Sequence, residues 1–423
     1  MGKPSSATDQ PDYKEFQKAR QEMLKRTEGK PVDGRVIPKG GARGGAHQLA
    51  LGLVPPRDPQ PEFFEEGYDS IRAFQSPLAN SQQERDKLSN LFNLWESIPK
   101  YSGSALAATP SRRVGEPLPI VKHQFEHDGD VFEMKLTPAQ FQENIDGKET
   151  NVFYYPGTNE ELVEMMLVKF AMERAEIFET GELPKKGGEK NHSYGVAFSL
   201  SSLREFMDSH KKGRTYKEIR HALHVLHKTN LEVSVNGKMM ASASLLPELY
   251  TYAQRGFKKH DPASQWAARF HPMVSNAINN GTYRQFNLER LLKTRSKLAL
   301  CLSKIILSNP SNISTTTPLR LNYLDFVAKT GELQYSRRNE GVRKFIEIAK
   351  TLKDYGMVSE INVERAKSRN GKIFDATLEI YATEDFVKEI RASYKRNQLL
   401  AQDPLLQIER VEGASGKKRP AKA

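Results

Sequence analysis

The sequence contains a single cysteine, and this scarcity excludes two kinds of stabilising site. One thiol cannot form a disulfide within the chain, and it cannot supply the cysteine pairs of a structural zinc site. Cys301 lies inside the apolar run LALCLSKIIL, where a small side chain packed within a helix is the favoured interpretation. We therefore expect apolar cores to stabilise the fold.

Long apolar runs are also missing. No stretch reaches the roughly 18 uncharged apolar residues that a membrane-spanning helix needs. The first residues, MGKPSSATDQPDYKE, are polar and do not contain the apolar core of a secretory signal. These features predict a cytoplasmic protein with no membrane partner.

The common enzyme motifs are absent from the sequence. The glycine-rich run PKGGARGGA lacks the GKS or GKT ending of a phosphate-binding loop, and there is no HExxH or GxSxG. His221, His224 and His227 recur at every third residue, but zinc sites usually add ligands from another element and no such motif is present. We expect no enzymatic activity, no metal and no other cofactor.

Positive charge is what the sequence has in excess. Lys and Arg number 64 against 52 Asp and Glu, which gives a formal net charge of +12 at pH 7. Such an excess favours polyanionic partners, of which nucleic acid is the first to consider.

Changes in composition divide the 423 residues into four segments. Gly, Pro and Arg dominate residues 29–61, and such a composition cannot bury enough apolar area to offset the entropy lost on ordering. One helix is predicted beyond it, over Gln82–Ile98, from the helical spacing of its leucines. The predicted segments are an extended, partly disordered arm with short helices (1–115), a first domain (117–255), a second domain (264–395) and a basic flexible tail (396–423).

The first domain is predicted to begin with a hairpin at Asp128-Gly129. Asn159 caps a long helix, Ser202 caps a second one, and Thr215 begins a third, TYKEIRHALHVLHK. Two strand-like runs joined by Asn236-Gly237 follow. Helix, helix, turn, helix and hairpin in this order are typical of a winged helix, whose third helix enters the major groove of DNA.

The second domain repeats this order. Its helices are predicted over Ser296–Leu307, Leu321–Lys329 and from Ser336 or Arg337 to Gly356, and the strands MVSEINVE and KIFDATLEIYA follow. The predicted fold class is therefore α+β and predominantly helical, with two consecutive winged-helix domains and a long, partly disordered N-terminal extension.

Both predicted third helices expose residues that can bind phosphates and base edges. We define the first basic face as Arg214, Lys217, Arg220, His221, His224 and Lys228. The second basic face consists of Arg337, Arg338, Asn339, Arg343, Lys344 and Lys350, and the adjoining wing adds Arg365, Lys367, Arg369 and Lys372. Arginine suits guanine, asparagine suits adenine and lysine suits phosphate.

These faces have an alternative interpretation as ordinary solvated helix surfaces. Any exposed helix carries charges, and Glu340 and Glu347 are spaced so that they can pair with their basic neighbours. The wing weakens this alternative, because it adds basic residues with no acidic residue among them next to the same helix.

The order of elements resembles that of the plasmid replication initiators of the tandem winged-helix type, which bind repeated origin sequences called iterons. The residues that carry the resemblance are SLSSLREFMDSHKKGRTYKEIRHALHVLHKTNLEVSVNGK, LKTRSKLALCLSKIILSN and RRNEGVRKFIEIAKTLKDYGMVSEI. The resemblance implies that the second basic face reads bases and that the first supports it. It also implies host initiator and helicase as partners and a subunit interface on the first domain when the protein is a homodimer. The long N-terminal extension departs from the compact members of the family.

Three functions remain open at the level of sequence. A replication initiator would bind direct repeats in double-stranded DNA, whereas a winged-helix transcriptional regulator would bind an inverted-repeat operator as a stable dimer. A scaffold whose winged helices bind other proteins would show no steep salt dependence of DNA binding.

Overall fold

The computed structural model describes residues 74–75, 81–174, 177–183, 191–252, 264–294, 296–308, 313–368 and 371–402, all within the compact unit Gly52–Ala423. Most of the predicted arm and the tail beyond residue 402 lie outside the described residues. The expectation that the fold is predominantly helical is wrong, because the described residues form five antiparallel sheets between their helices. The fold is a mixed α+β structure.

The segment before the first winged helix is rich in strands. Two of its hairpins turn at Asp-Gly pairs, at residues 128–129 and 146–147, and all four residues have positive φ, as a type I′ turn requires. The elements are α1 (Gln82–Lys87), β1 (Leu88–Phe92), α2 (Asn93–Ser97), α3 (Gly103–Leu106), β2 (Arg112–Val114), β3 (Val121–His127), β4 (Asp130–Thr137), β5 (Ala139–Ile145) and β6 (Lys148–Tyr154).

The first winged helix has the predicted order of helices and wing. The cap of the second helix differs, since Ser199 and Ser202 form a reciprocal capping box in which Ser199 is the N-cap. Thr215 and Glu218 form the same box at the third helix. The elements are α4 (Thr158–Arg174), β7 (Ile177–Leu183), β8 (Asn191–Ser199), α5 (Leu200–Ser209), α6 (Tyr216–Lys228), β9 (Asn230–Val235), β10 (Lys238–Ser244), β11 (Leu249–Tyr252) and β12 (Gln265–Arg269).

Two further sheets extend this winged helix beyond the sequence-based prediction. The wing strand β9 pairs with β4, so that the wing and the first hairpin form one sheet of order β10-β9-β4-β3. A second sheet, β11-β12-β8-β7, includes the strands inserted between α4 and α5. The β2-β6-β5 sheet lies beside α6.

The second winged helix follows the prediction more closely. A Gly331 with φ of 67° ends its second helix, as expected. The third helix ends at Thr351, before Gly356, because the last residues form turns. The elements are α7 (Pro272–Asn279), β13 (Tyr283–Asn287), α8 (Leu288–Leu292), α9 (Lys297–Ser308), β14 (Leu319–Asn322), α10 (Tyr323–Thr330), α11 (Arg338–Thr351), β15 (Val358–Lys367), β16 (Ile373–Ala382) and α12 (Glu384–Gln402).

The single helix predicted over Gln82–Ile98 is wrong. Five residues in its middle form β1, which pairs antiparallel with β13 and is buried along its whole length. The side chain of Lys169 in α4 donates to the Leu88 carbonyl at 2.5 Å and to the Arg85 carbonyl at 3.4 Å, and so satisfies carbonyl groups where α1 ends. Burial on all sides, rather than an amphipathic helix, explains the apolar residues here.

A group of buried charges joins this segment to both winged helices. Lys304 of α9 donates to Glu96 of α2 at 2.6 Å and to Glu161 of α4 at 2.7 Å. Beside them Glu164 accepts from Trp95 Nε1 at 3.1 Å and from the Tyr101 hydroxyl at 2.5 Å. We call Glu96, Lys100, Glu161, Glu164 and Lys304 the junction cluster.

His271 packs against the same segment. Its ring stacks on Trp95 with a centroid distance of 4.6 Å, and its Nδ1 accepts from the Met273 backbone at 3.2 Å as the N-cap of α7. Burial, with a smaller contribution from Lys100, lowers the pKa of His271 to about 3. The imidazole is therefore neutral in the folded protein at neutral pH.

Gly331 provides a test of how α3 contacts the second winged helix. A Cβ there would lie 1.9 Å from Leu106 Cδ2, in addition to the strain of a positive φ. Gly331→Ala should lower the free energy of unfolding by about 1–3 kcal/mol more than Gly371→Ala, whose φ is similar but whose Cβ meets no atom. Denaturant unfolding measures both, and adding Leu106→Ala should remove most of the excess. Equal losses for the two glycine variants would contradict the contact.

His271 should make stability depend on pH in a defined direction. The pKa of His271 in the folded protein lies below the unfolded value near 6.5, so the unfolded chain binds more protons as pH falls. The stability that the neutral His271 contributes is therefore complete above pH 6.5 and decreases as pH falls toward 3. At pH 5 the loss should be about 2 kcal/mol. His271→Asn keeps a capping acceptor and should remove this part of the pH dependence. An unchanged slope between pH 7 and 5 in the variant would show that another group titrates.

Candidate nucleic-acid interface

The helix α6 presents its first basic face opposite a completely buried stripe. Ile219, Ala222, Leu223 and Leu226 have no exposed surface, and their spacing confirms the predicted apolar face. The opposite side of the helix therefore points away from the core.

A flanking sheet covers one edge of this face. The His221 ring stacks on Phe141 of β5 at 5.4 Å and meets Tyr154 of β6 edge-on at 4.8 Å. Lys228 donates to the Gln140 carbonyl at 3.1 Å, and its ammonium lies 4.5 Å from the centre of the Phe141 ring. These contacts turn His221 and Lys228 toward the protein itself.

Two other members of the first basic face also have partners within the protein. Arg214 donates to Asn159 Oδ1 at 2.9 Å and to the Gly213 carbonyl at 2.9 Å. His224 meets the edge of Trp266 at 5.9 Å, and burial followed by the charge of neighbouring basic residues lowers its pKa. Lys217 is exposed and Arg220 half-buried, whereas Lys228, which is also exposed, donates to the Gln140 carbonyl of β5.

The helix α11 presents a more open surface. Asn339, Arg343 and Lys350 are exposed and lie along one strip at spacings of four and seven residues. Arg343 and Lys350 have no ion-pair partner among the residues that the structure describes. The buried side of the helix carries Val342, Phe345 and Ala349. The strip is thus available to a partner outside the chain.

Acidic neighbours reduce the charge of the rest of the second basic face. Arg337 lies 3.6 Å from Glu340, and Lys344 lies 3.1 Å from Glu347. Both pairs are exposed, where such contacts contribute little energy and separate readily. The ion pairs expected of an ordinary solvated helix face are therefore present at Arg337 and Lys344. Arg343 and Lys350 form no such pair among the described residues.

The wing β15–β16 extends beside α11. Arg365 and Lys367 are exposed on β15, and Lys372 is exposed just before β16. Arg369 lies outside the described residues. The two strands pair from Val358–Ala382 to Lys367–Ile373, so the basic residues lie toward the end of the hairpin, as predicted.

An exposed tyrosine beside α11 was missed by the sequence analysis. Tyr335 precedes the helix and is 46% exposed. The turn that presents it is fixed by the Tyr323 hydroxyl, which donates to the Leu333 carbonyl at 2.9 Å, and by a positive φ of 62° at Leu333. The sequence did contain a signal for this residue, since a large aromatic side chain stands between the end of one helix and the start of a basic one.

Other ligand types find little support in the described part of the chain. There, no group of three His, Cys, Asp or Glu residues is arranged to hold a metal ion. His227, the third of the spaced histidines, contacts the Leu246 carbonyl through Nδ1 at 2.9 Å. Among the same residues, no helix is both long and apolar enough to cross a membrane.

One family model matches the first winged helix and the residues that follow it. Residues 161–306 match the family model described as Initiator Replication protein, WH1. This match confirms the resemblance to the plasmid replication initiators that the sequence indicated. No curated protein matches the chain significantly.

Two solved proteins are similar to longer parts of the chain at low identity. Domains 2 and 3 of RctB share 11% identity over 68% of this chain and 99% of that one, with a TM-score of 0.36. The Pi initiator protein, solved in complex with iteron DNA, shares 12% identity over 59% of this chain and 98% of its own, with a TM-score of 0.34. Neither likeness is close enough to assign a residue or a role.

Proposed function

Because residues 161–306 match the WH1 domain of the initiator replication proteins, we propose that this chain is a plasmid-type replication initiator that binds repeated double-stranded origin DNA. The observation that carries the DNA-binding part is the exposed strip Asn339–Arg343–Lys350 beside a basic wing. A third helix and a wing carrying cations on adjacent elements are what a winged helix uses on DNA. The proposed activity is binding and includes no catalytic step.

The two basic faces take different roles in this proposal. Base edges in the major groove are read by residues of α11 and its N-terminus, namely Arg337, Arg338, Asn339, Arg343 and Lys344. The DNA backbone is contacted by Lys350 and by the wing residues Arg365, Lys367, Arg369 and Lys372. The first basic face contributes fewer contacts, mainly through Lys217 and Arg220, because His221, His224 and Arg214 contact other parts of the protein. The second winged helix thus supplies most of the specificity.

The proposal extends to partners by family resemblance alone. A plasmid-type initiator recruits host initiator and replicative helicase, and a homodimer would use a surface of the first winged helix. We assign the contact with the helicase to the N-terminal arm ahead of α1. The compartment in which this function takes place is the cytoplasm.

Selection of bound duplexes from random DNA, followed by sequencing, tests the proposed function. The purified protein at near-physiological salt should enrich an asymmetric site of about two helical turns that occurs as direct repeats. Enrichment of a palindromic site would contradict the initiator function and would indicate a transcriptional regulator that binds an inverted repeat. No enrichment, together with an affinity that does not change between 50 and 200 mM salt, would favour a protein-binding scaffold.

Single substitutions on α11 should distinguish base recognition from non-specific attraction to the DNA phosphates. Arg343→Ala should weaken binding to the selected site by about 1–3 kcal/mol and relax the base preference at one position, because an arginine–guanine contact is lost. Lys350→Ala should weaken binding to all sequences and reduce the salt dependence by about one phosphate contact.

The matched control is Arg320→Ala on β14, at the sheet edge opposite the wing strand β15. Arg320 is 74% exposed but pairs with Glu379 at 2.8 Å, so its removal takes one surface cation from a different face. Fluorescence anisotropy titrations at two salt concentrations compare the three variants. Equal losses for Arg343→Ala and Arg320→Ala would contradict a specific role for α11.

A further inference from the structure

The junction cluster contains one lysine that connects parts of the chain far apart in sequence. The Lys304 ammonium lies between Glu96 Oε2 and Glu161 Oε1 at 2.6 and 2.7 Å. The three side chains are only 9 to 11% exposed. The lysine ammonium is a compact charge with three donors, which suits this position between two carboxylates.

Glu161 and Lys304 belong to helices that pack directly against the two basic helices. Glu161 is in α4, which packs against α6, whereas Lys304 is in α9, which packs against α11. Glu96 is in α2, which contacts α9. A displacement of Lys304 relative to Glu161 would therefore move α6 and α11 relative to each other.

Close packing is interrupted beside this contact. A cavity of about 130 Å³ lies beside Lys304 and is lined by Glu96, Glu161, Lys297, Cys301 and Lys329 among others. Its lining is polar and apolar in about equal parts, and the space it leaves allows the elements around it to slide more readily than close packing would. The ion contacts with Glu96 and Glu161 oppose such sliding, because they require short distances.

The charge states support a persistent contact. Burial opposes the ammonium form of Lys304, but the nearby carboxylates of Glu161 and Glu96 outweigh it and raise the pKa. Lys304 also lowers the pKa of Glu96 against the effect of burial, together with Lys100. Separating either pair would leave a charge buried without its partner, which is strongly unfavourable.

Other described contacts also reach the second winged helix, but they involve no buried ion pair. Within the winged helices, the Tyr194 hydroxyl of β8 donates to Asn279 Oδ1 of α7 at 2.7 Å. His123 of β3 contacts the Ala328 carbonyl of α10 at 2.7 Å, and Leu106 of α3 lies against Gly331. Burial lowers the pKa of His123, so its contact is one neutral hydrogen bond. Among the described contacts between the two domains, the contact of Lys304 with Glu161 is thus the one that combines charge, burial and short distance.

We propose that Lys304 is a positioning residue that sets the spacing between α6 and α11, and hence the number of base pairs between the two parts of the DNA site. This inference rests on the proposed function and deepens it. It assigns the choice of spacing to a side chain that touches no DNA. The two basic faces read their own base pairs, and Lys304 fixes how far apart those base pairs lie.

The experiment measures affinity for a series of duplexes in which the selected site is lengthened or shortened between its two halves by one and two base pairs. The wild-type chain should prefer one spacing by about tenfold or more, since each added base pair also rotates the second half around the helix axis. Lys304→Met, similar in length but uncharged, should reduce this preference to about threefold or less while its mean affinity over the series changes little. Lys304→Arg should retain a single preferred spacing.

The matched control is Lys297→Met, which removes a lysine of the same helix that pairs with Glu332 of the second winged helix at 2.6 Å. Its spacing preference should equal that of the wild type. Glu161→Gln keeps a hydrogen-bond acceptor at the junction and provides a second variant if Lys304→Met does not fold, as judged by its thermal transition. It should also broaden the preference.

The outcomes distinguish this inference from the proposed function. A wild-type chain that selects DNA sequences but accepts all spacings equally would overturn the inference alone. So would a folded Lys304→Met or Glu161→Gln variant with the wild-type preference. A wild-type chain with no sequence preference at all would overturn the proposed function and, with it, the spacing role of Lys304.

Discussion

The arrangement of the described elements depends on one interaction, the contact of the Lys304 ammonium with Glu96 and Glu161. A buried lysine is costly to remove from water, and it is tolerated here because Glu96 and Glu161 approach it together. Each of the three residues comes from a different part of the chain, so the charge is satisfied only when α2, α4 and α9 are all in place. The junction cluster therefore couples the segment before the first winged helix to both winged helices.

Local signals allowed much of the fold to be predicted. The turns at Asp128-Gly129 and Asn236-Gly237, the Thr215 cap and the Gly331 helix end each depend on a few adjacent residues, and the structure contains all of them. The strands β1 and β13 are joined across almost two hundred residues, and the pairing of β12 with β8 is also distant. Helical spacing within β1 was misleading, because a strand buried on both faces gives no alternating pattern.

In the candidate interface, too, the features set by neighbouring residues could be predicted from the sequence, and those set by residues far apart in the chain could not. Residue type and helical spacing placed Arg343 and Lys350 on an outward face, where the structure finds them exposed. They could not show that Phe141 and Tyr154, some seventy to eighty residues earlier, cover His221. Nor could they show that Arg214 is held by Asn159. Exposure of a basic helix is a property of what packs beside it, so the two basic faces differ although their sequences are similarly charged.

In the proposed complex, α6 and α11 both contact one duplex, at a separation fixed by the junction cluster. Hydroxyl-radical footprinting of the wild-type complex on its selected site tests it most directly. We expect two protected stretches about one helical turn apart, with the stronger protection at the end bound by α11. Arg343→Ala should lose only that protection. A single protected stretch that disappears entirely in Arg343→Ala would contradict the claim, because α6 would then make no contact with DNA.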